Sequence, residues 1–145
     1  MSDNQALRTV SLERTEKAGY VIRNNRGGEI VVGTAEGERF TPVELFLGAL
    51  AACGAIDLDL ITSKRAEPER MRARAEGHKV RDDLGNRLVE LRVIFDVTFP
   101  DTPAGEEARA VVPRTIEQIE QRLCTVSRTV AVGTDVTTTT GELDE

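Results

Sequence analysis

Phe46 to Ile56 is an unbroken run of eleven apolar and glycine residues, and it limits what this chain can fold into more than any other stretch. Eleven residues fall short of the roughly 20 needed to cross a bilayer, so the run has to be covered by protein. Just before it, Thr41-Pro42-Val43-Glu44 combines a Thr and a Glu at capping-box spacing with Pro at the first helical position. A helix is therefore expected to start there. Val43, Phe46, Leu47, Leu50, Ala51, Leu58 and Ile61 continue at steps of three and four, and the charged stretch SKRAEPER closes the element near Pro68. The expectation is a long, central, mostly buried helix.

On either side the pattern is that of strands. TVSLERT, GYVIR and EIVVG, separated by turn signals at Lys17–Gly19 and Asn24–Gly28, read as a three-stranded antiparallel meander. Met71–Val80 and Leu88–Phe99 alternate, with Val89, Leu91, Val93, Phe95, Val97 and Phe99 on one face. RDDLGN supplies a turn whose expected tip is Gly85-Asn86. Ala104–Leu123 returns to helical spacing, with a kink or split expected at Pro113 because proline removes one backbone bond and crowds the preceding turn. A short apolar stretch to Gly133 and a β-branched final strand, TDVTTTT, complete an α+β order with antiparallel sheets.

At 145 residues the chain is sized for a single domain, 1–145, able to bury a core of its own. Hydrophobic residues at 39% and charged residues at 30% exclude a disordered class. A net charge of -6, interleaved signs and 3% aromatics argue against nucleic acid as a partner. MSDNQALRTVSLERTEK lacks the apolar centre of a signal peptide and no apolar run reaches membrane length, so cytoplasmic location with no membrane partner is expected.

That leaves two cysteines, Cys53 and Cys124, and a single histidine, His78. With so few N and S ligands no metal is expected, and nothing in the sequence calls for a cofactor. In a reducing compartment the thiols should be free or only transiently paired. Taken alone, Cys53 on an apolar helix is a space-filling residue, and Cys124 at a helix end reads the same way. Peroxide chemistry needs a thiolate, and apolar burial works against one, so a reactive Cys53 requires a cation or aimed donors. Arg14, Lys17, Arg23, Arg26 and Arg39 in the N-terminal segment are the available cations. A second thiol within reach would trap the sulfenic acid left on the first and close a reducible disulfide.

The stretch from Phe40 to Cys53, FTPVELFLGALAAC, and the segment CTVSRT from Cys124 to Thr129, followed by Val136 and its Thr run, resemble the OsmC and Ohr proteins. Those are the osmotically induced and organic hydroperoxide resistance proteins. The resemblance covers nearly the whole chain. It implies an OsmC-like fold assembled as an intertwined homodimer, and a thiol-dependent peroxidase acting on organic hydroperoxides and reset by a dithiol reductant. It makes Cys53 the peroxidatic residue and Cys124 the resolving one. In the best-studied branches a Glu directly after the helix-start Pro works with an Arg from the N-terminal strands; here Val43 holds that position. Glu44 follows about 100° further around the helix. Arg14 and Lys17 are the nearest basic residues in place of the family's Gly-Gly-Arg turn. Arg14 and Glu44 are thus the polar candidates the resemblance offers, in a divergent branch. The other reading is a small-molecule binding or redox-sensing protein on the same scaffold.

Overall fold

The computed structural model describes residues 5–144; Met1 to Asn4, part of the stretch expected to carry no leader, lie outside the described residues. The chain packs as two units that divide between Leu47 and Gly48.

The first unit holds β1 (Ser11–Glu16), β2 (Gly19–Arg23) and β3 (Glu29–Gly33), the antiparallel meander expected from the sequence. Val21 and Val32 are its buried side chains. Lys17 and Ala18 make the first turn, with Ala18 in the left-handed region at φ 56°; a residue of that hand matches a tight turn to the twist of the strands. At the second turn the Asn24 carboxamide oxygen accepts the N–H groups of Arg26 and Gly28, both at 2.9 Å. Arg39 lies over the glycines that flank this sheet. A Cβ on Gly19 would come within 2.7 Å of its Nη1, and one on Gly33 within 3.0 Å of its Cζ, while Nη1 pairs with Glu16 at 2.8 Å.

Helix α1 (Pro42–Thr62) starts where its signals put it. The Glu44 N–H donates to Thr41 Oγ1 at 3.1 Å and the Thr41 N–H donates to Glu44 Oε1 at 2.8 Å, a complete capping box. It ends at Thr62, earlier than the expected stop near Pro68. The Thr62 hydroxyl donates back to the Leu58 carbonyl at 2.8 Å, and its own carbonyl accepts the Arg65 and Ala66 N–H groups. The expectation of a mostly buried helix is corrected. Only Leu50, Gly54, Leu58 and Thr62, one stripe at four-residue spacing, are buried, while Ile56 and Leu60 stay 59% and 65% exposed. One copy of the chain covers one side of an all-round apolar helix.

In the second unit β4 (Arg70–Asp82) and β5 (Gly85–Thr98) form a long antiparallel hairpin. Its tip is Asp83-Leu84, not Gly85-Asn86: Gly85 pairs with Asp82 and takes φ 122°. The Asp82 carboxylate accepts the Leu84 N–H at 2.9 Å and the Arg87 guanidinium at 2.7 Å, which fixes the turn two residues early. The register also slips between Glu76 and His78, where Leu91 and Glu90 oppose the single residue Gly77 and Glu90 adopts φ 55°. A bulge of this kind reverses the alternation beyond it, so Val89 shares a face with Arg92 rather than with Leu91.

Helix α2 (Pro103–Gln118) is capped by Thr102, whose hydroxyl accepts the Gly105 N–H at 3.0 Å. It runs through Pro113 without the expected split. The helix changes character later, in a π-helical turn over Ile119–Leu123. After Cys124 the apolar stretch folds as a short helix, α3 (Thr125–Ala131). Residues 134–144, including the expected final strand, lie outside any helix or strand; a β-branched segment becomes a strand only where an edge is offered to pair with. The core of this unit gathers Leu58, Ile119 and Cys124, with Cys53, Met71, Phe95, Val97, Val112, Ile116 and Val126 packed around them.

The start of α2 has no room for a side chain at Gly105, because a Cβ there would run into the Pro100 carbonyl. Gly105→Ala is expected to cost about 2 kcal/mol or more, the upper range for overpacking a rigid site. Urea unfolding followed by circular dichroism measures this loss.

Candidate functional site

The π-helical turn determines where the second sulfur goes. The Cys124 N–H donates to the Ile119 carbonyl at 3.2 Å, a wider loop than an α-turn, and Cys124 then switches to extended backbone, φ -80° and ψ 106°. Such turns occur often at functional positions. Cys124 is also the N-cap of α3: its Sγ accepts the Ser127 N–H at 3.4 Å. One residue before Gly54 of α1's buried stripe, Cys53 faces the same core. Both thiols are free, Cys124 fully buried and Cys53 half-buried and packed against the cluster that holds Cys124, near enough for each sulfur to shift the other's titration. Residues separated by 71 positions, 124 − 53, therefore form one dithiol.

The environment treats the two sulfurs oppositely. Burial pushes the Cys53 thiol up; its hydrogen bond to Cys124 and the charges of Cys124 and Asp57 push the same way, against the Val126 N–H. Burial also works against a Cys124 thiolate, but hydrogen bonds from Cys53, from the hydroxyl and N–H of Ser127, and from the Val126 N–H outweigh it and hold this thiol below its ordinary value. Of the two, Cys124 is the sulfur on which its surroundings favour charge and Cys53 the one on which they oppose it. Beyond burial and the partner sulfur, the groups acting on the pair are donors at the start of α3 and, most weakly, the Asp57 carboxylate; none of them is basic.

Sequence reasoning missed Asp57 and Ser127. Asp57 follows Cys53 by four residues, the spacing that places two side chains on one helix face. Ser127 follows Cys124 by three, the spacing of an N-cap and its donor, and was hidden because no helix was expected there. Of the polar candidates, Glu44 is occupied by the Thr41 capping box and Arg14 is exposed on β1, opposite Tyr20 in register. Both belong to the first unit.

Beside the dithiol lies a cavity of about 380 Å³ walled by Leu50 and Gly54 of α1, Leu91, Val93 and Phe95 of β5, Ile116 and Ile119, and Val130 and Ala131 of α3. Its polar lining comes from Arg92, Glu120 and Ser127. The sulfurs are not in its wall, but Gly54 directly follows Cys53 and Ser127 donates to Cys124. Among the described residues no group of His, Cys, Asp and Glu is arranged to hold a metal ion.

An α+β fold with a capped apolar helix, a long hairpin and two approaching thiols defines a class of small dithiol proteins. The family described as OsmC-like protein matches residues 35–139, and the chain belongs to it. An uncharacterised protein of Mycobacterium tuberculosis (strain ATCC 25618 / H37Rv) is 31% identical over 127 residues, covering 86% of this chain and 90% of that protein. Among solved structures, an OsmC-like protein from Mycoplasma pneumoniae superposes with a TM-score of 0.67 at 15% identity, covering 90% of this chain and 89% of the other. A Legionella pneumophila structure, described as an organic hydroperoxide resistance protein OsmC and predicted redox protein, gives 0.54 at 18% identity over 87% and 91%. These likenesses establish the OsmC-like fold.

Removing the Asp57 carboxylate takes away a charge that opposes a Cys53 thiolate. Asp57→Asn is expected to lower the pH at which Cys53 alkylates, so that it reacts faster at neutral pH. Iodoacetamide kinetics across pH on the Cys124→Ser background, with and without Asp57→Asn, make the comparison.

Proposed function

We propose that this chain is a dithiol peroxidase that reduces organic hydroperoxides, with Cys53 attacking the peroxide and Cys124 resolving the product. The observation that carries this reading is that two free thiols from distant parts of the chain pack in one core cluster, with a backbone donor on one of them. In the proposed first step a Cys124 thiolate, favoured by the donors at the start of α3, takes the proton from Cys53. Cys53 then attacks the distal peroxide oxygen as a thiolate. The O–O bond breaks, and the departing alkoxide takes the proton from Cys124 and leaves as an alcohol. Cys53 is then a sulfenic acid facing a Cys124 thiolate, which attacks sulfur and expels hydroxide, closing the disulfide. One hydroperoxide is reduced to alcohol and two thiols are oxidised. An external dithiol restores the pair. No step falls to Glu44 or Arg14 in this scheme.

The apolar cavity beside the pair fits the organic half of such a peroxide. It equally supports a second reading, a protein that binds an apolar small molecule without consuming it. The two part on one measurement. Purified protein given one equivalent of an organic hydroperoxide is expected to lose both titratable thiols and two mass units. Cys53→Ser is expected to abolish peroxide consumption, and Cys124→Ser to allow one turnover at most without added thiol. Sustained consumption by Cys53→Ser would sink the catalytic reading.

The working protein is, in this proposal, a cytoplasmic single domain completed by a second copy. By length and composition α1 is apolar enough to cross a membrane. Its uncovered face instead fits a partner helix: Ala49, Ala52, Ile56 and Leu60 lie at steps of three and four and are all exposed. Ile56→Lys is expected to shift the protein from dimer to monomer in sedimentation velocity, while the exposed loop change Leu84→Lys leaves the dimer intact.

A further inference from the structure

We propose that the oxidised pair opens in one direction: a thiol reductant attacks the Cys53 sulfur, Cys124 leaves as a thiolate, and Ser127 is the positioning residue that holds the leaving sulfur. The inference rests on the disulfide of the preceding section and specifies how it is reset.

Thiolate attack on a disulfide runs along the S–S axis, from behind the sulfur attacked. Access to the two sulfurs differs. Cys124 has 0% exposure and is enclosed with Leu58 and Ile119 in the core, so an incoming thiol has no approach to it. Cys53 is half-buried and borders exposed Ala52 on the helix. The leaving side is equally asymmetric. The Ser127 N–H reaches Cys124 Sγ at 3.4 Å, and its hydroxyl, on the same residue, also favours charge on that sulfur. Cys53 has the Val126 N–H and faces the Asp57 carboxylate. A sulfur with donors in place leaves faster than one beside a carboxylate, because departure places negative charge on it.

The exchange balances as follows. The reductant's thiolate bonds to Cys53 Sγ, the Cys53–Cys124 bond breaks, and its electron pair stays on Cys124. A dithiol's second sulfur, once deprotonated, attacks its own first sulfur, closes the reductant's disulfide and releases Cys53 as a thiolate that takes up the proton. The reductant loses two electrons and the protein gains them.

The test forms the disulfide with diamide, so that it stands whether or not hydroperoxides oxidise the protein. The oxidised full chain is mixed briefly with 2-mercaptoethanol, quenched in acid, unfolded, alkylated with maleimide in acid and mapped by peptide mass. The reductant is expected on Cys53 and maleimide on Cys124. Reductant on Cys124, or spread evenly over both, overturns the proposal. A protein that diamide cannot close into the intramolecular disulfide overturns it together with the dithiol reading. If hydroperoxide fails to oxidise the chain while the diamide disulfide opens at Cys53, the peroxidase reading falls and this one stands. Ser127→Ala is expected to slow opening several-fold and to raise the pH midpoint of thiolate absorbance, with Ser127→Thr restoring both. Asp57, Arg92 and Glu120, the charged groups on the elements around the pair and its cavity, are left unchanged in these variants. Opening at an unchanged rate and midpoint in Ser127→Ala removes Ser127 from the mechanism.

Discussion

A single wide turn, closed by the Cys124 N–H on the Ile119 carbonyl, sets the position of the second sulfur, on which the arrangement of the pair depends. Had α2 continued with α-helical bonding, Cys124 would have been one more position on a regular helix. The π-helical loop ends the helix at that residue, turns its backbone extended, and starts α3 with the sulfur as its cap. Position and electrostatics come from the same few atoms, because the donors that cap α3 also favour charge on Cys124.

This gives the dithiol a division of labour that its apolar surroundings would not suggest. A lone thiol among Leu58, Met71 and Phe95 resists ionisation. With two thiols in one cluster the donors of α3 favour charge on Cys124 and burial opposes it on Cys53. Cys53 is the more exposed of the two. Within the second unit Val126 and Ser127 are the donors that distinguish the pair.

What the sequence disclosed depended on how local the cause was. The α1 start was legible because a capping box lies within four consecutive residues, and the meander because its turns and β-branched runs are short-range signals. The hairpin tip was misplaced since Gly85 draws attention, whereas Asp82, by binding Leu84 and Arg87, decides the turn. The bulge at Gly77 was invisible because the alternation of β5 looks unbroken in one strand and fails only against the register of β4. Burial of α1 was overestimated because hydropathy cannot say whether the covering surface belongs to the same copy. The cysteines were found as residue types, but their unequal surroundings depend on Ser127, whose N–H reaches Cys124 only because a helix starts there.

Gly54 separates two spaces with almost nothing. A Cβ at that position would come within 2.8 Å of the Phe95 ring, so the aromatic edge rests on bare helix backbone immediately after Cys53. The partition between the apolar cavity and the sulfur pair is therefore one residue thick and has no side chain of its own. Phe95 thus belongs at once to the cavity wall and to the surface of the helical turn that carries Cys53. Any side chain at position 54 would push the ring off that turn and reshape the cavity beside it.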